Sequence, residues 1–115
     1  MERGGHALRV VDTQGSIRTV AGNGKKGNVD GIGKKANLNG PKHLTIDTRG
    51  VVYIADDNNH LVRRFDPETG LLSTVLGAGE FRLNRPHGVQ VNRGWLYIAD
   101  SWNHRVVRLK LTKNL

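Results

Sequence analysis

An all-β fold assembled from repeated four-stranded sheets is predicted by three observations. Tyr53-Ile54-Ala55-Asp56, followed by Asn59-His60, is matched by Tyr97-Ile98-Ala99-Asp100, followed by Asn103-His104. Each copy is preceded by a proline at the corresponding place, in Leu38-Asn39-Gly40-Pro41 and in Leu83-Asn84-Arg85-Pro86. Between these marks lie short β-type runs cut by glycine, proline and aspartate. A period of about 40–45 residues built this way is the mark of a β-propeller blade.

Each copy divides into four strands, a to d from hub to rim. In chain order the first are an outer strand c at Ala7–Val11 and a strand d at Ile17–Ala21. The longest irregular stretch, Asn23–Gly40, then leads to strand a at His43–Asp47. Strand b is Val51–Ala55, apolar throughout, as expected of a strand buried on both faces. Strands c and d follow at Leu61–Phe65 and Leu72–Leu76, joined by Asp66-Pro67-Glu68-Thr69-Gly70. Proline early and glycine late in that segment suit a hairpin turn. The next copy supplies a at Gly88–Asn92, b at Trp95–Ala99 and c at Arg105–Leu109. Thr48-Arg49-Gly50 and Arg93-Gly94 are the turns between a and b.

Proline, apolar run, acid or amide, glycine, Tyr-Ile-Ala-Asp, Asn-His and a basic-apolar run recur in that order. The unit resembles the NHL repeat. A worn third copy begins the chain, where His6 to Asp12 overlays His60 to Asp66 without a gap. Four segments are expected. Residues 1–22 are a partial blade of strands c and d, and 23–40 a Gly/Lys-rich connecting loop. Residues 41–80 are a complete blade, and 81–115 a last blade without its outermost strand. Propellers of this family close as six-bladed, TolB-like rings. The resemblance therefore implies about two to two and a half blades from the C-terminal portion of a longer protein. The alternative is a ring assembled from three short chains. A lone fragment would expose a blade face, and self-association through it is then expected.

Eighteen Lys and Arg against ten Asp and Glu give a net charge of +8, which favours anionic partners or solubility. No run is apolar enough to cross a membrane, and Met1-Glu2-Arg3-Gly4-Gly5 has no apolar run behind it, so no signal peptide is visible. The absence of cysteine removes thiolate zinc sites, disulfides and cysteine nucleophiles.

The repeated Asp56, Asn59 and His60, with Asp100, Asn103 and His104, are read as scaffolding. A short carboxylate or amide at a tight turn accepts backbone N–H groups. Gly22-Asn23-Gly24-Lys25-Lys26-Gly27 spells a dinucleotide fingerprint, but the following Asn28-Val29-Asp30-Gly31-Ile32-Gly33 cannot open a helix. It reads as a flexible glycine-rich loop.

Function is expected where the copies differ, on the face shared by loops b–c and d–a and at the channel mouth. Candidate contacts are Lys25, Lys26, Lys34, Lys35, Lys42, Arg85, His87 and Trp102. The expected role is a binding scaffold for a protein or small molecule, with no cofactor and no membrane contact. An enzymatic role is the weaker reading: amidating lyases of this propeller type gather histidines from Pro-His-Gly settings on one zinc. Only His87 matches here, and Lys42 stands at the corresponding place in the other copy, so His87 is a weak metal candidate. A lactonase-like hydrolase belongs to the same alternative. Binding of single-stranded RNA is the other. It calls for stacking aromatics among the cations, and only Trp102 and Phe81 lie outside strand positions.

Overall fold

The computed structural model describes residues 1–112. Ten strands follow one another: β1 Leu8–Val11, β2 Ile17–Ala21, β3 Gly31–Ile32, β4 Pro41–Ile46 and β5 Val52–Asp56 come first. β6 Leu61–Phe65, β7 Leu71–Leu76, β8 Pro86–Asn92, β9 Trp95–Asp100 and β10 Arg105–Lys110 complete the order. Three short 3-10 turns occur, and no α-helix is present among the described residues. No helix among them is long and apolar enough to cross a membrane.

The strands form three antiparallel sheets, ordered β1-β2, β3-β7-β6-β5-β4 and β10-β9-β8. Strands c and d of the complete copy lie as read, to within a residue. Strand a starts earlier than expected, at Pro41 and Pro86, because both prolines pair with the aspartate that ends strand b. Between proline and the rest of strand a the register slips by one residue, leaving Lys42 and His87 in equivalent bulges.

The connecting segment 23–40 departs most from expectation. It carries β3, which pairs Gly31 with Leu72 and Ile32 with Leu71 and adds a fifth strand at the rim. Arg63 fastens it from inside, donating to the carbonyls of Asn37 and Val29 and to Asp30. Thr74 also donates to Asp30, and Asn59 to the carbonyl of Gly27. Glycine content suggested a flexible loop, but one buried arginine with several donors replaces the missing regular ladder. Its glycines also let backbone pass closely: a Cβ on Gly22, at φ +91, would lie 2.6 Å from the His6 carbonyl.

Two cores flank the middle sheet. β5 is buried at every position, and its alternate side chains serve opposite faces. Val52 and Ile54 join Leu8, Ala21, Leu38, Phe65 and Leu72 on one side. Tyr53 and Ala55 join Val62, Leu83, Val89, Leu96 and Ile98 on the other. Each such aliphatic side chain contributes roughly 1.5–3 kcal/mol by leaving water. β9 differs, since Leu96, Ile98 and Asp100 are buried while Trp95, Tyr97 and Ala99 are only partly so. Val106 on β10 is 73% exposed. The outer face of this last sheet has no neighbour among the described residues.

Candidate functional site

The turns after β5 and β9 meet the segments leading into β4 and β8, forming one end of the molecule. Asn58 donates its backbone N–H to the Asn39 carbonyl, and Trp102 donates to Asn84. Beneath this end the repeated letters make the same constellation twice. Asp56 accepts the Asn39 N–H at 2.9 Å, Asn59 Nδ2 at 2.7 Å and Arg63 Nη1 at 2.9 Å. Asp100 accepts the Asn84 N–H at 2.7 Å, Asn103 Nδ2 at 2.9 Å and Arg105 Nε at 2.7 Å. A third version pairs Glu2 with Arg9 at 2.7 Å. Sequence reading missed Glu2, although extending the His6–His60 overlay backwards sets it on Asp56.

The histidines fasten one sheet to the next. His60 closes its turn in the left-handed region at φ 59, and its Nδ1 accepts the Arg85 N–H at 3.0 Å. His6, at φ 51, accepts the Gly40 N–H at 3.0 Å in the same way. Both donors stand immediately before the repeat proline, and both are left-handed themselves. His104 has the same backbone, at φ 56, and its N–H is bonded to the Ser101 carbonyl, but its ring makes no hydrogen bond among the described residues.

Burial acts against ionisation of both aspartates, with different outcomes. At Asp56 it prevails over the Asn39, Asn59 and Arg63 hydrogen bonds and raises the pKa. At Asp100 the bonds from Asn84, Asn103 and Arg105 outweigh it, and the pKa falls below the ordinary value.

Above these turns the two bulges bring Lys42 and His87 together, with Nζ 3.4 Å from Nδ1. A bulge re-aims one side chain without disturbing the strand that follows. On its other side His87 Nε2 lies 3.4 Å from Asp57 Oδ1. Asp57 is fully buried and collects two arginines. Arg85 Nε and Nη2 reach its oxygens at 2.7 and 3.2 Å, and Arg3 Nη2 at 2.9 Å. Arg3 also donates to the Gly40 carbonyl. Burial alone would raise the Asp57 pKa, but the bonds from Arg85 and Arg3 outweigh it and hold the carboxyl below its usual range. Arg85 then stacks over Trp102 at 4.9 Å, and that indole is 57% exposed.

Lys42, His87, Arg85 and Trp102 therefore form one arc of contacts, with Asp57 as its hub. Asp57 is not among the contacts expected from the sequence. The signal available was its replacement by Ser101 in the next copy. Lys25, Lys26, Lys34 and Lys35 all lie in the 23–40 segment, and their side chains make no contact with this arc among the described residues. The Lys34 carbonyl is held by Asn23 Nδ2, the Lys25 carbonyl by Asn37 Nδ2, and Lys34 and Lys35 sit in the turn beside β3. His43, one residue past the bulge, turns to the neighbouring strand and accepts the Val89 N–H at 3.3 Å. The histidines therefore do not converge. Among the described residues no group of three or more His, Asp or Glu side chains could hold a metal ion.

Comparison with known proteins agrees with this geometry. The NHL repeat model matches residues 83–109. The chain is 36% identical over 78 residues to NHL repeat-containing protein 2 of Bos taurus, covering 68% of this chain and 11% of that protein. Among solved structures, an auxiliary nutrient binding protein from Bacteroides thetaiotaomicron superposes with a TM-score of 0.80 at 24% identity, over 94% of this chain and 33% of that one. A protein of unknown function from the same organism gives 0.84 at 22% identity, over 95% and 31%. At such identities the solved structures speak for the fold alone. Residues 83–109 are an NHL repeat, and the chain as a whole carries the NHL-repeat β-propeller fold.

Proposed function

We propose that this chain is a binding scaffold whose ligand-bearing surface is the arc Lys42–His87–Arg85–Trp102. The observation that carries the reading is the pair of equivalent bulges. They lift Lys42 and His87 out of their strands and into contact, where a bulge with no task would cost ladder pairing for nothing. Function then resides in side chains grafted on a rigid repeat, as in other repeat proteins. Lys34 and Lys35, at the rim beside β3, form no part of this surface. A metal-dependent reaction finds little support, because a lysine ammonium stands beside the one histidine at the place where further ligands would be needed.

RNA binding is the second reading. Its support is that both exposed aromatics carry an arginine, Arg85 over Trp102 and Arg105 over Phe81, each at 4.9 Å.

One screen separates the readings. The isotopically labelled chain is titrated with small molecules, short peptides and a single-stranded oligonucleotide, followed residue by residue in amide NMR spectra. Binders from the first two classes should shift Lys42, Arg85, His87 and Trp102. Shifts confined to the opposite end, around Arg49 and Arg93, would overturn the proposal. Oligonucleotide shifts centred on Phe81 and Trp102, and fading steeply with salt, would replace it with the RNA reading.

A further inference from the structure

The arc carries more positive charge than its hub neutralises. Arg3 and Arg85 already occupy the single carboxylate, Asp57, and Lys42 adds a third cation beside His87. Lys42 is exposed and has no acidic partner among the described residues; the one contact of its ammonium is with His87 Nδ1, at 3.4 Å. Arg85 spends Nε and Nη2 on Asp57. Its guanidinium has five N–H donors in a fixed fork, so the Nη1 side stays available. Asp57 thus holds Arg85 and His87 in place from below while leaving donors directed outward. Pre-set donors of this kind bind without first paying to order themselves.

We infer that the arc takes an oxyanion, a carboxylate or phosphate group carried by the ligand, with Lys42 Nζ as its principal donor and Arg85 Nη1 beside it. The inference rests on the preceding reading of this end as the binding surface. When the oxyanion arrives, Lys42 exchanges the weak 3.4 Å contact to His87 for a charge-assisted bond. His87 keeps its contact to Asp57 and serves as a positioning residue. Trp102, packed on Arg85, offers an apolar wall for whatever bears the charged group.

The probes are inorganic phosphate and succinate, added to the chain at constant ionic strength and followed by NMR at the His87 ring and the Lys42 ammonium. Saturable shifts are expected at both residues, with whichever anion binds tighter naming the preferred group. Lys42→Ala should weaken binding at least tenfold, and Lys42→Arg should restore most of it. Lys34→Ala should change nothing, and all three variants should melt with the parent. A linear, unsaturating response would overturn the inference. So would equal weakening by Lys34→Ala, which would mean a diffuse basic surface. If both anions leave Lys42 and His87 unmoved while uncharged binders shift them, the oxyanion assignment falls and the binding surface stands.

Discussion

The middle sheet and the last sheet carry the same constellation and treat it oppositely. Asp56 and Asp100 each accept one backbone N–H, one asparagine and one arginine, yet burial raises the first carboxyl's pKa and the second is depressed. The difference lies in the neighbours. Arg63 is wholly buried beneath the pinned 23–40 segment and between two cores, whereas the Arg105 side chain is 44% exposed at a sheet with one bare face. A repeat motif therefore specifies geometry, and its energetics come from what packs around it.

The sharpest way to break that comparison is to delete each aspartate. Asp56→Ala leaves the Arg63 charge buried with only the exposed carboxylate of Asp30, and should cost about 3–5 kcal/mol. Asp100→Ala leaves an arginine that water can reach, and should cost about 1–2 kcal/mol. Urea unfolding of the two variants side by side decides it. Equal losses would mean that the covering segment contributes nothing.

A smaller difference is expected at the histidines. His60 and His104 share the left-handed backbone, so replacing either by glycine removes strain equally. Only His60 accepts the N–H ahead of the next proline. His60→Gly should therefore be less stable than His104→Gly by about 1 kcal/mol, the usual worth of one such bond. Thermal melts that coincide would show that the histidine does not fasten sheet to sheet.

These contrasts also mark what could be read before the structure. Strand identity and order were legible because alternation, turn residues and a blade-length period all agreed, and β6 and β2 fall where Leu61–Phe65 and Ile17–Ala21 were read. The 23–40 segment was not legible, since its order comes from Arg63, Asn59 and Thr74 reaching it across the fold. Among the candidate contacts, Lys42, His87 and Trp102 were identified by where the copies differ and Arg85 by its place on the shared loop face, and the fold brings these four together. The four loop lysines were grouped with them both by loop topology and because the long lysine-rich loop has only a short counterpart in the other copy. The pairing of β3 with β7 takes two of them, Lys34 and Lys35, to the rim. The Asp57 hub escaped notice because its partners come from two segments distant from it in the chain: Arg3 before β1, and Arg85 with His87 at the start of β8.

The smallest expected effect is in the pH dependence of stability, and there the two aspartates should differ in sign. Asp56 has a folded pKa above its unfolded value of about 4, so the folded state binds the proton more readily. Its contribution to stability improves as pH falls through the folded pKa towards about 4. Asp100 and Asp57 are depressed, so their contribution is complete above about 4 and is lost as pH falls further through their folded pKa values. Asp56→Asn should therefore remove a gain on mild acidification, and Asp100→Asn should flatten the loss below about pH 4. Urea midpoints of the parent and both variants, taken from neutral to strongly acidic pH, test this. If both substitutions changed the same limb of the curve, the two copies would be electrostatically equivalent, and the contrast between a covered and a bare sheet would reduce to the arginines alone.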